Sequence, residues 1–131
     1  MTTILISEAL VARKHILVVD DDAMQREIMD AYLSMQDYDV TLAHNGVSGL
    51  KRASEFNPDL VILDVKMPDM TGYEVCEILK TDYPDLPILL VTGFNAPEDR
   101  EQGFAVGAND FMTRPFDGDT LISKVATLLA D

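Results

Sequence analysis

The chain is 131 residues long, 47% hydrophobic and 25% charged, which leaves room for one compact core and lies far from the composition of disordered segments. Its formal net charge of -13 repels phosphate backbones and anionic membranes, so neither direct nucleic-acid binding nor membrane attachment is expected. No apolar run nears the ~18 residues of a membrane span, and the lone Cys76 fits a core position in a reducing, cytoplasmic compartment.

Residues 1–14 read as an N-terminal extension without a signal-peptide pattern, and residues 15–131 as a single domain with no separate output domain. The domain opens with Ile16-Leu17-Val18-Val19, a short continuous apolar run of the kind found in parallel strands buried on both faces. Asp22 then stands as N-cap of a helix whose apolar stripe is Met24, Ile28, Ala31, Tyr32 and Met35. Tyr38, Val40 and Leu42 alternate with polar residues as in an edge strand, and Asn45 precedes a second helix with the stripe Val47, Leu50, Ala53 and Phe56.

Leu60-Val61-Ile62-Leu63 is the next buried strand. Thr71 and Glu74 have capping-box spacing before a helix that carries Val75, Cys76, Ile78 and Leu79. Ile88-Leu89-Leu90-Val91 repeats the buried-strand pattern. The helix expected over residues 97–106 is the weakest, since Gly103 interrupts it and few apolar side chains anchor it. Phe111-Met112 is a short edge strand, and Asp117 caps a last helix with the face Leu121, Val125 and Leu128. Strand and helix therefore alternate five times, which is the pattern of a doubly wound α/β sandwich.

In an open parallel sheet, ligands bind beyond the carboxyl ends of the strands. The residues at those ends are Asp20 and Asp21, Asp64, Thr92 and Arg114. Three carboxylates in one crevice raise each other's pKa unless a cation intervenes, and Mg²⁺, which takes one or two carboxylates and fills its octahedron with water and phosphate oxygens, answers that need. One carboxylate then remains as nucleophile, with Thr92 and Arg114 to bind the other phosphoryl oxygens, so the constellation reads as phosphoryl transfer to aspartate.

The blocks Ile16-Leu17-Val18-Val19-Asp20-Asp21-Asp22, Asp64-Val65-Lys66-Met67-Pro68 with Gly72, Val91-Thr92-Gly93 and Arg114-Pro115-Phe116 resemble, in order and spacing, the signature segments of response-regulator receiver domains of two-component signalling. The resemblance implies a flavodoxin-like doubly wound five-stranded parallel sheet in the order 2-1-3-4-5 with five helices. It implies Asp64 as phosphoacceptor, Mg²⁺ bound directly by Asp21 and the backbone carbonyl of Lys66 and largely through water by Asp20, and Thr92 with Phe111 as the switch pair. It also implies a cis Arg114-Pro115 bond. The expected partners are a sensor histidine kinase or phosphotransfer protein and a downstream effector or fused output domain. The only catalysis expected is of the domain's own phosphorylation and dephosphorylation.

Receivers typically carry lysine where this chain has Arg114, and a planar bidentate guanidinium is not equivalent to an ammonium at a tight site. That departure supports a rival reading, a pseudo-receiver that binds proteins without being productively phosphorylated. A haloacid-dehalogenase-type phosphatase, using Asp20 and Asp22, would leave the Asp64 and Thr92 blocks unexplained. Lys66 and Phe94, two positions beyond Asp64 and Thr92, are expected to border the route of the hydrolytic water, with Phe94 shielding the acyl phosphate. The fourth helix, with the last strand and last helix, is the expected reporting surface.

Overall fold

A computed structural model describes residues 13–93 and 97–130, so the extension up to Ala12 and the position of Phe94 lie outside the described residues. Among those described, the elements are β1 (His15–Val19), α1 (Ala23–Met35), β2 (Asp39–Ala43), α2 (Gly46–Phe56), β3 (Leu60–Asp64), α3 (Gly72–Asp82), β4 (Ile88–Thr92), α4 (Pro97–Ala105), β5 (Asp110–Thr113) and α5 (Gly118–Leu129). The strands form one parallel sheet in the order β2-β1-β3-β4-β5, as expected.

The three continuous apolar runs became the three central strands because each is buried on both faces. Leu17, Val19, Val61, Leu63, Ile88 and Leu90 face one cluster, which Ala53 of α2 and Val75, Cys76 and Leu79 of α3 complete. Ile16, Val18, Leu60, Ile62, Leu89 and Val91 face the other, which Met29 and Leu33 of α1 and Leu121 and Val125 of α5 complete. The alternation follows from the two-residue period of a strand.

All four caps form at the expected residues. Asp22 accepts from the backbone N–H of Met24 and Gln25, and Asp117 from that of Thr120. Asn45 makes a capping box with Ser48, and Thr71 makes one with Glu74.

Three helix faces differ from the expectation. Met24 and Met35 of the anticipated α1 stripe are 68% and 76% exposed, and the helix turns Met29 and Leu33 to the core instead. The inward row loses its apolar signature in the first turn, where Arg26 donates to the backbone carbonyl of Asp20 (2.6 Å). In α2, Val47 and Phe56 face outward, because the helix lies so close to β1 that glycines form its inner face. A Cβ on Gly49 would stand 3.0 Å from both γ-methyls of Val19. Ile78 of α3 also points outward. Gly103 does not interrupt α4; it is buried in the helix, where a Cβ would meet Leu90 at 2.9 Å and Phe111 at 3.4 Å.

Cys76 is fully buried, its Sγ lies 3.7 Å from the carbonyl oxygen of Val106, and burial pushes its thiol up to about 11. The folded protein is therefore expected to be inert to a disulfide reagent at pH near 8, and to react stoichiometrically once unfolded in denaturant. Rapid labelling of the native protein would contradict the packing described.

Candidate phosphoacceptor site

The carboxyl ends of β1 and β3 bring Asp20 and Asp64 into one crevice. These two strands pair in parallel, Val19 beside Leu63, so the residues that follow leave the sheet side by side. Asp21 completes the group: one carboxylate oxygen from each of Asp20, Asp21 and Asp64 lies within 4.8 Å of the others. Asp20 and Asp64 are buried at 1% and 6% exposure, whereas Asp21 is exposed at the rim. The cavity over them has a volume of about 490 Å³ and is also lined by Gln25, Lys66, Met67, Pro68, Gly93 and Arg114.

Arg114 follows β5, the sheet edge next to β4. Its backbone N–H donates to the carbonyl of Thr92 (2.7 Å), and its peptide bond to Pro115 is cis. From there the guanidinium reaches across the strand ends. Nη1 donates to Asp64 Oδ1 at 3.1 Å, and Nη2 pairs with Asp20 Oδ2. Asp20 Oδ1 accepts from the backbone of Asp22 (2.9 Å), so both oxygens of this buried acid are engaged.

Burial raises the pKa of Asp64 from 3.8 to about 6, reinforced by the charge of Asp20 and opposed by Arg114. Burial also raises Asp20, against the Asp22 hydrogen bond and the Arg114 charge. One guanidinium therefore does not fully offset two desolvated carboxylates. Three clustered oxygen donors, still short of positive charge, suit a hard divalent cation.

Thr92, at the end of β4, is 1% exposed and is not among the residues that line the cavity. Phe111 is buried in β5, with the guanidinium carbon of Arg100 5.1 Å from its ring centre. Lys66 is exposed at the rim, and its backbone N–H makes a long contact to Asp64 Oδ1 (3.4 Å). Asp22, which the phosphatase reading needs as its second acid, is committed to capping α1.

Two supporting residues escaped the sequence reading. Arg26 was signalled only by being the one cation in α1, one turn beyond the acidic run. Asp69 accepts from the backbone N–H of Gly46 and Val47, both at 2.9 Å, and so ties the loop after Asp64 to the start of α2. Those bonds hold its carboxyl below the ordinary range, and no local spacing announces a cap supplied by a loop some twenty residues away.

Comparison with known proteins agrees with this geometry. The family described as response regulator receiver domain matches residues 16–126. The chain is 37% identical over 116 residues to the DNA-binding dual master transcriptional regulator RpaA of Synechocystis sp., covering 87% of this chain and 48% of the relative. It is 41% identical over 114 residues to the response regulator MprA of Mycobacterium ulcerans, covering 87% of this chain and 49% of the relative. It thus spans about half the length of these relatives. Among solved structures, a CheY-like receiver domain protein from Methanospirillum hungatei superimposes with a TM-score of 0.87 at 28% identity, covering 90% of this chain and 94% of the other. The BeF3-activated DrrB receiver domain does so with a TM-score of 0.84 at 32% identity, covering 90% and 98%. On these matches and on its own sheet order, the chain belongs to the response regulator receiver domain family.

Proposed function

We propose that Asp64 accepts a phosphoryl group from a phosphohistidine of a sensor kinase or phosphotransfer protein, with Mg²⁺ as cofactor, and that the acyl phosphate switches a protein-binding face. The observation that carries the reading is the convergence of Asp20, Asp21 and Asp64 with Arg114 on one open cavity. In the resting site Arg114 engages Asp64 Oδ1, and Oδ2 is assigned as the attacking oxygen. It forms the new P–O bond as the P–N bond to the donor imidazole breaks, and the imidazole keeps the electron pair.

Asp20, Asp21, Asp64 and the backbone carbonyl of Lys66 would hold Mg²⁺, whose role is to neutralise charge on the transferring group. Thr92, Lys66 and Arg114 would bind phosphoryl oxygens. Thr92 would shift towards the adduct and Phe111 would repack in response. The burial of Phe111 supports a role through packing alone, since it has no hydroxyl to signal with.

On this reading the domain catalyses only its own modification. It works on the cytoplasmic side, and no described helix is long and apolar enough to cross a membrane. RpaA is named as DNA-binding, but this chain aligns with less than half of it, and at a net charge of -13 the domain itself is assigned no DNA contact. Its downstream partner is an effector protein or an output domain.

The test is incubation with acetyl phosphate and Mg²⁺, followed by intact mass measurement and borohydride trapping. One phosphoryl group should be added, and reduction should convert Asp64 to homoserine. A second reading, the protein-binding module that is not productively phosphorylated, is favoured by the guanidinium already seated on Asp20 and Asp64. An unmodified protein under these conditions would establish it in place of the first.

A further inference from the structure

Arg114 does more than add positive charge to the site. Its two terminal nitrogens each hold a different buried carboxylate, Nη1 on Asp64 and Nη2 on Asp20, and its backbone is pinned to Thr92. Nε is buried without a hydrogen-bond partner. A guanidinium engaging one carboxylate side-on satisfies Nε along with a terminal nitrogen. Here Nε is left unpaired because the fork is turned to span two acids, so the pair of charge-assisted bonds must outweigh that loss.

The oxygens so engaged belong to the same acids that bring their carboxylates within 4.8 Å of one another and of Asp21. A guanidinium is weakly hydrated and suits contact with acids as buried as Asp20 and Asp64, whereas an ammonium is a compact point charge that favours water. We propose that Arg114 is a resident cation that bridges Asp20 and Asp64 and competes with a divalent ion for them, so that the metal is held only when the guanidinium releases one of the two carboxylates. The inference rests on the reading that a divalent ion binds here. It assigns Arg114 a specificity-determining role, because the guanidinium spans the two acids through separate nitrogens in a fixed fork, whereas an ammonium must serve both from a single nitrogen.

The experiment measures metal binding with no phosphodonor present. Mn²⁺ is titrated into the full chain and free ion is followed by electron paramagnetic resonance, with Mg²⁺ calorimetry alongside. Arg114→Lys keeps the charge and removes the fixed two-nitrogen bridge, and should bind Mn²⁺ about tenfold more tightly than the wild type. Arg114→Gln should bind at least as tightly as the lysine variant.

Lys124→Gln removes a cation that pairs with Asp110 and does not line the cavity, and should leave the affinity unchanged. In the wild type, the Arg114 Nε–H resonance should shift as metal is added. Circular dichroism melting establishes which variants are folded; should the glutamine variant fail to fold, the lysine variant decides alone. Equal affinities for wild type and Arg114→Lys would overturn the proposal. An unphosphorylated protein that nonetheless shows the affinity difference would overturn the phosphoacceptor reading while leaving this one standing.

Discussion

Replacing Asp64 with asparagine should abolish the phosphoryl adduct and, at the same time, make the fold more stable at neutral pH. The first effect follows from loss of the nucleophilic oxygen anion. The second follows from the position of the acid, which is 6% exposed and has its pKa raised from 3.8 to about 6 chiefly by burial. A carboxyl raised in this way binds its proton more tightly folded than unfolded. Its contribution to stability is present in full below pH ~4, declines as the pH rises to about 6, and is flat above that.

Over that window the ionised wild type gives up on the order of 3 kcal/mol, which a neutral asparagine does not lose. Asparagine keeps an acceptor for Arg114 Nη1, and Asp20 keeps its charge for Nη2, so the variant does not orphan the guanidinium. Asp20 is also raised by burial, so the slope should shrink and not vanish. Urea unfolding in chelator at several pH values between 4 and 8 reads the result. A variant no more stable than the wild type at pH 7, with an undiminished slope, would mean that Asp64 is not held desolvated.

The parts of this molecule that were legible in advance are those written in contiguous sequence. The strands of the sheet centre are unbroken apolar runs, so their ends, and with them Asp20, Asp64 and Thr92, could be placed by counting. The caps at Asp22, Asn45, Thr71 and Asp117 are likewise local chemistry. What misled is proximity between elements. Gly46 and Gly49 form the inner face of α2 because little else fits against Met70 and Val19, and a hydrophobic stripe cannot announce a contact made by missing side chains. Met29 and Leu33 carry no apolar stripe in the sequence because the first turn of their row holds Arg26, which serves the site.

The bridge made by Arg114 joins residues separated by 50 and 94 positions. The identity of the cation was visible, but its engagement of two acids at once depends on where β5 ends relative to β1 and β3, and only the assembled sheet fixes that.

The same principle makes Gly72 the position least tolerant of a methyl group. A Cβ there would lie 2.3 Å from the carbonyl oxygen of Asp64, 2.8 Å from Val65 Cα and 2.9 Å from the Asp64 carbonyl carbon. Every one of these is backbone, and the backbone is that of the acceptor residue itself. Gly72 also donates its N–H to the carbonyl of Val65 at 2.8 Å, so the start of α3 is stitched directly onto the end of β3.

Gly72→Ala cannot be relieved by a rotamer change; either α3 or the Asp64 peptide must move. The expected cost is about 3 kcal/mol or more, at the upper end of overpacking substitutions, together with slower phosphorylation as Asp64 leaves its alignment with Asp20 and Arg114. Gly118→Ala is the control. Its Cβ would fall 2.1 Å from the ring of Tyr32, yet that ring belongs to a side chain at the surface, 38% exposed, that can swing aside. Gly118→Ala should therefore cost far less despite the shorter distance. Urea midpoints for the two variants decide between yielding side chains and unyielding backbone, and equal losses would show that the junction of β3 with α3 is softer than its contacts indicate.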